Sequence, residues 1–335
     1  MRRLIPNVPF CDNDYYPCGP VALDAMLQFY GYAPPLVLHG QWFFMYQRQG
    51  NGDVEVTPYF TSPFQGMQRC GVHVTEHQEP DGETAWEHAK SQIDMGKPVP
   101  ALADTHYLEA YYYPGLGHHS DHSVILAGYD DGTDTVHVVD PSPSKLFRGD
   151  LPLSGFKEAW GSEHIRQYMW MEFQVLEQRW TPGAEQAVGT IRQNIHLMLH
   201  AKASQSGIFI GLQGLRTLSD DLARWQDLNA DQSRHYLKQL YDQLRSVVME
   251  RDGHGKYLKL VADILKEPGL SQVGDQLWTI TQKWIVFRNL CFKAQKKALK
   301  QTLEKLHGRL LKIASLEERA LIQLQAIISG SSVVV

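Results

Sequence analysis

No uninterrupted apolar run in this chain approaches the ~20 residues that a membrane-spanning helix needs, so no membrane span is expected. The opening Met1-Arg2-Arg3-Leu4-Ile5-Pro6-Asn7 has charge but no apolar stretch behind it, and no signal peptide is expected there. The uncharged stretch after Arg319 is interrupted by Gln323, Gln325, Ser329 and Gly330, which reads as a packing helix with a frayed end. Cysteine is scarce: Cys11, Cys18, Cys70 and Cys291 are the only 4 in 335 residues, too few without a secretory leader for a disulfide framework. Free thiols and a cytoplasmic location are the expectation. Basic excess is also missing, with 32 Lys and Arg against 37 Asp and Glu, a net charge of -5 and a pI near 6.3. That balance excludes domain-scale recognition of nucleic-acid phosphates. Neither CxxC nor HExxH occurs, so no bound metal or other cofactor is expected, although His106, His118, His119, Asp121 and His122 crowd one segment. There is no internal repeat and no low-complexity tract.

The chain does have enough apolar material, 43% hydrophobic against 21% charged, to bury a full core. Its length favours two domains. Up to about Gln178, short apolar runs alternate with Pro and Gly turn signals, which predicts an α+β domain over 1–178. From Ala184 onward the period is helical: Val188, Ile191, Ile195, Met198 and Leu199 share one face, as do Leu215, Leu218, Leu222 and Trp225. An all-α domain is predicted over 184–330, with the boundary in Arg179-Trp180-Thr181-Pro182-Gly183, where Pro and Gly break both strand and helix. Leu277 to Leu311 reads as one helical segment, and Ser315 with Glu318 has the spacing of a capping box that would start a new helix near Leu316.

Two local patterns carry chemistry. Cys18-Gly19-Pro20 precedes Ala22, Ala25, Met26 and Phe29, apolar positions at helical spacing, and Pro20 suits a first turn; Cys18 is therefore placed at a helix N-terminus. Further on, 122–128 and 135–140 read as strands joined through Asp131-Gly132, which brings His122 and Asp140 to neighbouring strand ends. A thiol attacks carbonyls as thiolate, a form favoured by a helix N-terminus and an adjacent imidazolium. The imidazole in turn needs a carboxylate to orient it. Cys18, His122 and Asp140 are thus the candidate nucleophile, base and orienting acid. For the oxyanion, the backbone N–H of Cys18 and the side-chain amide of Asn13 are the candidate donors. Tyr107, with the aromatic stretch Tyr111-Tyr112-Tyr113-Pro114, is read either as packing or as a wall of the substrate pocket.

Cys18-Gly19-Pro20 at a helix start, His122 before an apolar strand ending Gly128-Tyr129-Asp130, and Asp140-Pro141 closing the next strand resemble the papain-like peptidase superfamily, in its bacteriocin-processing, C39-like branch. Asp104-Thr105-His106-Tyr107-Leu108 and His118-His119-Ser120-Asp121-His122 narrow the resemblance to the family of butirosin-biosynthesis protein H. Gly214-Leu215-Arg216 through Asp221, Leu222 and Trp225 is similar to the start of that family's helical C-terminal domain. The resemblance implies a papain-like fold followed by a helical domain. It implies an acyltransferase that moves an acyl group from a carrier-protein thioester through Cys18 to a small-molecule amine, in antibiotic assembly. The acyl group would arrive on the carrier's phosphopantetheine, so the enzyme itself would hold no cofactor. Lys293, Lys296, Lys297 and Lys300 would form a basic stripe on one helix, a docking site for an acyl or peptidyl carrier protein or simply a solvated face. C39-type peptidases have a glutamine six positions before the cysteine, and here that position is Asp12. A peptidase or thioesterase using the same three residues, and a non-catalytic scaffold that binds a carrier or peptide, are the alternatives.

Overall fold

The computed structural model describes residues 1–11, 16–50, 53–108, 111, 119–143, 146–176, 180–201, 207–296 and 299–330. In chain order the first elements are β1 (Arg2–Leu4), α1 (Cys18–Phe29), α2 (Pro34–Leu38), β2 (Met45–Arg48), β3 (Val54–Thr57), α3 (Pro63–Arg69), β4 (Val72–Gln78), α4 (Gly82–Asp94) and β5 (Val99–Asp104). There follow α5 (Thr105–Leu108), β6 (Asp121–Asp130), β7 (Thr135–Asp140), β8 (Phe147–Pro152), α6 (Leu153–Trp160) and β9 (Met169–Val175). The last are α7 (Ala184–Leu199), β10 (Ile208–Ile210), α8 (Gly211–Arg224), α9 (Ala230–Leu265), α10 (Pro268–Ala294) and α11 (Leu299–Gly330).

The chain forms two compact units, Met1–Pro34 with Pro63–Trp180, and Pro35–Ser62 with Thr181–Val335. The first is built on a seven-stranded antiparallel sheet in the order β4-β9-β5-β6-β7-β8, with β1 paired to the far end of β6. β5 is buried along its whole length and β6 from His122 to Tyr129, which is why both read as near-continuous apolar runs. The edge strands β4 and β8 expose half or more of their residues. α1 and α4 pack on β6, and α6 on β5. α4 starts at Asp81, whose carboxylate accepts the N–H of Thr84, and it buries Ala85, Trp86, Ala89 and Ile93 on one side.

The second unit holds α7 to α11 and a three-stranded antiparallel sheet, β10-β2-β3. An N-terminal segment thus belongs with the helices, in contrast to the contiguous division at 179–183. The reason is alternation: Trp42, Phe44, Tyr46, Val54 and Val56 point into the helical core beside Ile191, Leu215, Leu244 and Trp284. The C-terminal region is also not wholly helical. β10 interrupts it, between Gly207 and Gly211 at φ 85 and 60, values that the interior of an α-helix does not accommodate. α9 and α10 cross with backbones nearly touching, since a Cβ on Gly274 would lie 2.7 Å from the carbonyl oxygen of Gly255.

Two further expectations are corrected. No helix starts at Leu316: Ser315 lies inside α11 with its hydroxyl donating to the carbonyl of Leu311, and Glu318 pairs with Arg216. Nor do the four lysines share a helix. α10 ends at Ala294, Lys293 is in its last turn, Lys296 follows in a turn with its ammonium over the Phe292 ring, and Lys300 belongs to α11; Lys297 lies outside the described residues. Among the described residues no helix is long and apolar enough to cross a membrane.

Candidate active site

Cys18 is the first residue of α1, as its Gly-Pro successor and the apolar spacing predict. Val21, Ala22, Ala25 and Met26 are buried beneath the helix, which fixes its start on the sheet. Pro17, the residue before the helix, makes no side-chain cap and the first turn carries no acidic residue, so the thiol sits at the positive end of the helix dipole. A Cβ on Gly19 would lie 3.9 Å from the hydroxyl of Ser123, which places the helix start against β6.

His122 is the second residue of β6 and Asp140 the last of β7. Ile125 is the partner of Val139, so one step further Asp140 stands opposite Val124, and His122 is the diagonal neighbour on the same face. The side chains meet there: His122 Nε2 is 2.7 Å from Asp140 Oδ2, and both residues are buried. Asp140 also accepts the backbone N–H of Ser142 at 3.0 Å, which fixes the carboxylate. The turn between the strands differs in detail from the expected one. Its left-handed residue is Asp134, at φ 52, while the N–H of Gly132 is taken by the Asp130 carboxylate.

The electrostatics couple Cys18 to this pair. Burial pushes the Cys18 thiol up. Hydrogen bonding and charge attraction from His122, with hydrogen bonds from the backbone and hydroxyl of Ser123, outweigh it and hold the thiol below its ordinary value. For His122, burial disfavours the imidazolium, but hydrogen bonds and charge from Asp140 and Cys18 prevail and push it up to about 9. The opposite shifts describe a thiolate–imidazolium pair. The other cysteines are different: Cys11 is buried, and burial pushes Cys70 up to about 12 and Cys291 higher still.

Asn13 and His118 are outside the described residues. Tyr107 is half-buried on α5, with its ring 5.3 Å from that of His106 and 6.3 Å from that of His119. Around these rings is a second polar cluster. Asp104, fully buried at the end of β5, accepts from His119 Nδ1 at 2.7 Å, Ser162 Oγ at 2.5 Å and the backbone N–H groups of His106 and Ser120. The His119 ring lies against that of His164, tilted by 30°, with ring centres 3.7 Å apart. Among the described residues no group of three or more His, Cys, Asp and Glu is arranged to hold a metal ion.

Sequence reasoning missed Ser123, Ser162 and His164. Alternation on β6 sends Ser123 to the face opposite His122, so nothing local pairs it with Cys18. Ser162 and His164 are some 40 residues downstream of the histidine-rich segment and join it only through the fold. Residues 18–141 match the family described as butirosin biosynthesis protein H, N-terminal, and residues 164–324 match a domain of unknown function, DUF4872. No curated protein matches the chain. The first match opens on Cys18 and closes one residue past Asp140, so all three residues of the candidate triad fall inside it. Residues 18–141 thus form a butirosin biosynthesis protein H-like N-terminal domain, with the candidate site inside it and the helices following.

Proposed function

We propose that this protein is a cysteine-dependent acyltransferase of antibiotic biosynthesis, with a papain-like catalytic unit. In this reading it moves an acyl group from a carrier-protein thioester, through acyl-Cys18, to an amine. The observation that carries the reading is the geometry: Cys18 at a helix start is hydrogen-bonded to His122, which Asp140 holds at 2.7 Å, an arrangement that favours thiolate and imidazolium. A scaffold that only binds has no use for a buried ion pair at a helix start. The family is named for butirosin biosynthesis, which supports an assembly reaction over proteolysis.

Cys18 Sγ attacks the thioester carbonyl carbon. The oxyanion is met by the Cys18 backbone N–H, which has no intrahelical acceptor at that position. The carbon–sulfur bond to the phosphopantetheine breaks, and its sulfur takes the proton of His122. In the second half the amine nitrogen attacks acyl-Cys18, its proton passes to the now neutral His122, and Sγ departs as thiolate beside the imidazolium. The thioester already carries the activation, so no nucleotide is consumed. The amide forms where the amine outcompetes water.

The test is intact-mass spectrometry of the wild type and Cys18→Ala after incubation with acyl-loaded carrier protein, with and without a panel of amines. An acyl adduct on the wild type alone, discharged by an amine as amide, is expected. Release as free acid whatever the amine assigns the same triad to a hydrolase, and no adduct from any acyl donor overturns the reading.

A further inference from the structure

The reaction just described has one proton that the triad does not handle. An ordinary alkylamine has a pKa near that of lysine, ~10.4, so at pH 7 roughly one molecule in 2500 is the neutral nucleophile. The ammonium must lose one proton before it attacks and a second as the amide forms. His122 takes the second. The first goes either to solvent, before the scarce neutral amine binds, or to a second base beside the site.

We propose that the Asp104–His119 pair is a second general base, which removes the first proton from the acceptor's ammonium beside acyl-Cys18. The inference rests on the transferase reading. His119 Nδ1–H donates to Asp104 Oδ2 at 2.7 Å, which leaves Nε2 as the lone-pair nitrogen. Asp104 is fully buried while the His119 side chain is 34% exposed, so the carboxylate is sealed and the ring faces incoming solute. Burial pushes the Asp104 carboxyl up, yet hydrogen bonds from Ser162, His119 and the two backbone N–H groups hold it below its ordinary value, ionised as the role requires. Among the described residues, His106 and Tyr107 from α5 and His164 from the segment after α6 stand against His119, and Ser162 from that segment donates to Asp104 on β5. The aromatic rings among them offer π-faces suited to an organic cation.

The strand register brings this pair to the triad. Ala103 is the Cα partner of His122 and Asp104 that of Asp121, and the pairing continues as the N–H of Thr105 donates to the carbonyl of Ser120. Three residues of extended chain separate His119 from His122, about 10 Å at ~3.3 Å per residue. Cys18 is hydrogen-bonded both to His122 and to Ser123, whose side chains leave opposite faces of β6, so the thiol lies at the strand edge with both faces in reach. The proton balance closes. The ammonium gives one proton to His119 Nε2, the freed lone pair forms the carbon–nitrogen bond, and the carbon–Sγ bond breaks. The second proton goes to His122, and His119 returns its own to water.

The test pre-forms acyl-Cys18 and follows its discharge in wild type and His119→Asn, with a primary alkylamine and with hydroxylamine, which is neutral at pH 7. The inference expects alkylamine discharge to fall about a hundredfold at pH 7 with hydroxylamine discharge spared. It expects the deficit to shrink as rising pH supplies free amine. His119→Gln serves as second variant should the first fail to fold. Equal loss with both nucleophiles, a loss independent of pH, or no loss overturns the inference alone. Failure of wild type to form acyl-Cys18 overturns the transferase reading and the inference with it.

Discussion

His122 meets Asp140 through Nε2, at 2.7 Å, so the ring nitrogen left for Cys18 is Nδ1. The carboxylate holds Nε2 protonated and thereby fixes the tautomer whose Nδ1 can exchange a proton with the thiol. Asp140→Asn replaces an obligate acceptor with a side chain that can donate to Nε2 and stabilise the wrong tautomer. Acyl-Cys18 formation should fall on the order of 10⁴-fold with the fold intact, as rapid-quench mass spectrometry would show. A loss under tenfold would mean that Asp140 does not orient the base.

The pair also sets a pH window. The thiolate is present above the lowered Cys18 value and the imidazolium persists up to about 9, so acylation should rise through a limb below the ordinary thiol range and decline near pH 9. Iodoacetamide should give a single adduct on Cys18 at pH 7, because burial disfavours the thiolates of Cys70 and Cys291. In His122→Ala, burial acts without its counterweight and the alkylation limb should move upward. Peptide mapping across pH reads both; modification of Cys70 or Cys291 at a comparable rate would contradict the assignment.

A third expectation concerns the helical unit. Glu317, fully buried on α11, accepts from Arg251 Nε and Nη2 at 2.8 and 3.0 Å, from Trp284 Nε1 at 2.8 Å and from Trp42 Nε1 at 3.2 Å. Glu317→Leu takes the carboxylate from the fully buried Arg251, which keeps its bond to the Phe43 carbonyl, and should destabilise by ~3–5 kcal/mol in urea unfolding followed by tryptophan fluorescence. Arg251→Met combined with Glu317→Leu removes both charges and should be markedly less harmful than Glu317→Leu alone. Additive losses in the double variant would sink the idea that the uncompensated charge, rather than lost packing, is the main penalty.

Patterns that act over a few residues were the legible ones. A Gly-Pro pair and apolar spacing put Cys18 at a helix start, and two alternating runs around a polar turn put His122 and Asp140 at adjoining strand ends, where the structure has them in contact. What escaped depends on distant chain. Glu250 to Gly255 holds two glycines and four polar residues, yet it is the buried centre of the 36-residue α9. Its polar groups find partners that only folding supplies: Glu250 pairs with His39, Arg251 with Glu317, and His254 with the His39 carbonyl. The bulky side chain of His39 explains Gly253, and the approach of α10 explains Gly255. Local propensity calls these residues loop; tertiary partners override it. The Asp104–His119 cluster was half visible, as a crowd of histidines whose buried carboxylate came from β5 and whose ring neighbour His164 came from the segment after α6.

His254 gives the last prediction. It is fully buried on α9, its Nδ1–H donating to the His39 carbonyl at 3.0 Å, and burial with the nearby Arg251 charge lowers it from 6.5 to about 3. The folded protein keeps this ring neutral where the unfolded chain protonates it. Its contribution to stability is therefore full above pH ~6.5 and is lost as pH falls toward 3. Between pH 6.5 and 5 the loss should be ~2 kcal/mol, a figure insensitive to the folded value as long as that stays well below 5. His254→Asn retains a donor for the His39 carbonyl and removes the titration. It should lower stability at every pH through lost ring packing against Tyr257 and Trp42, yet flatten the slope between pH 6.5 and 5. Urea midpoints at half-unit intervals measure both, and an unchanged slope in the variant would assign the acid sensitivity to other groups.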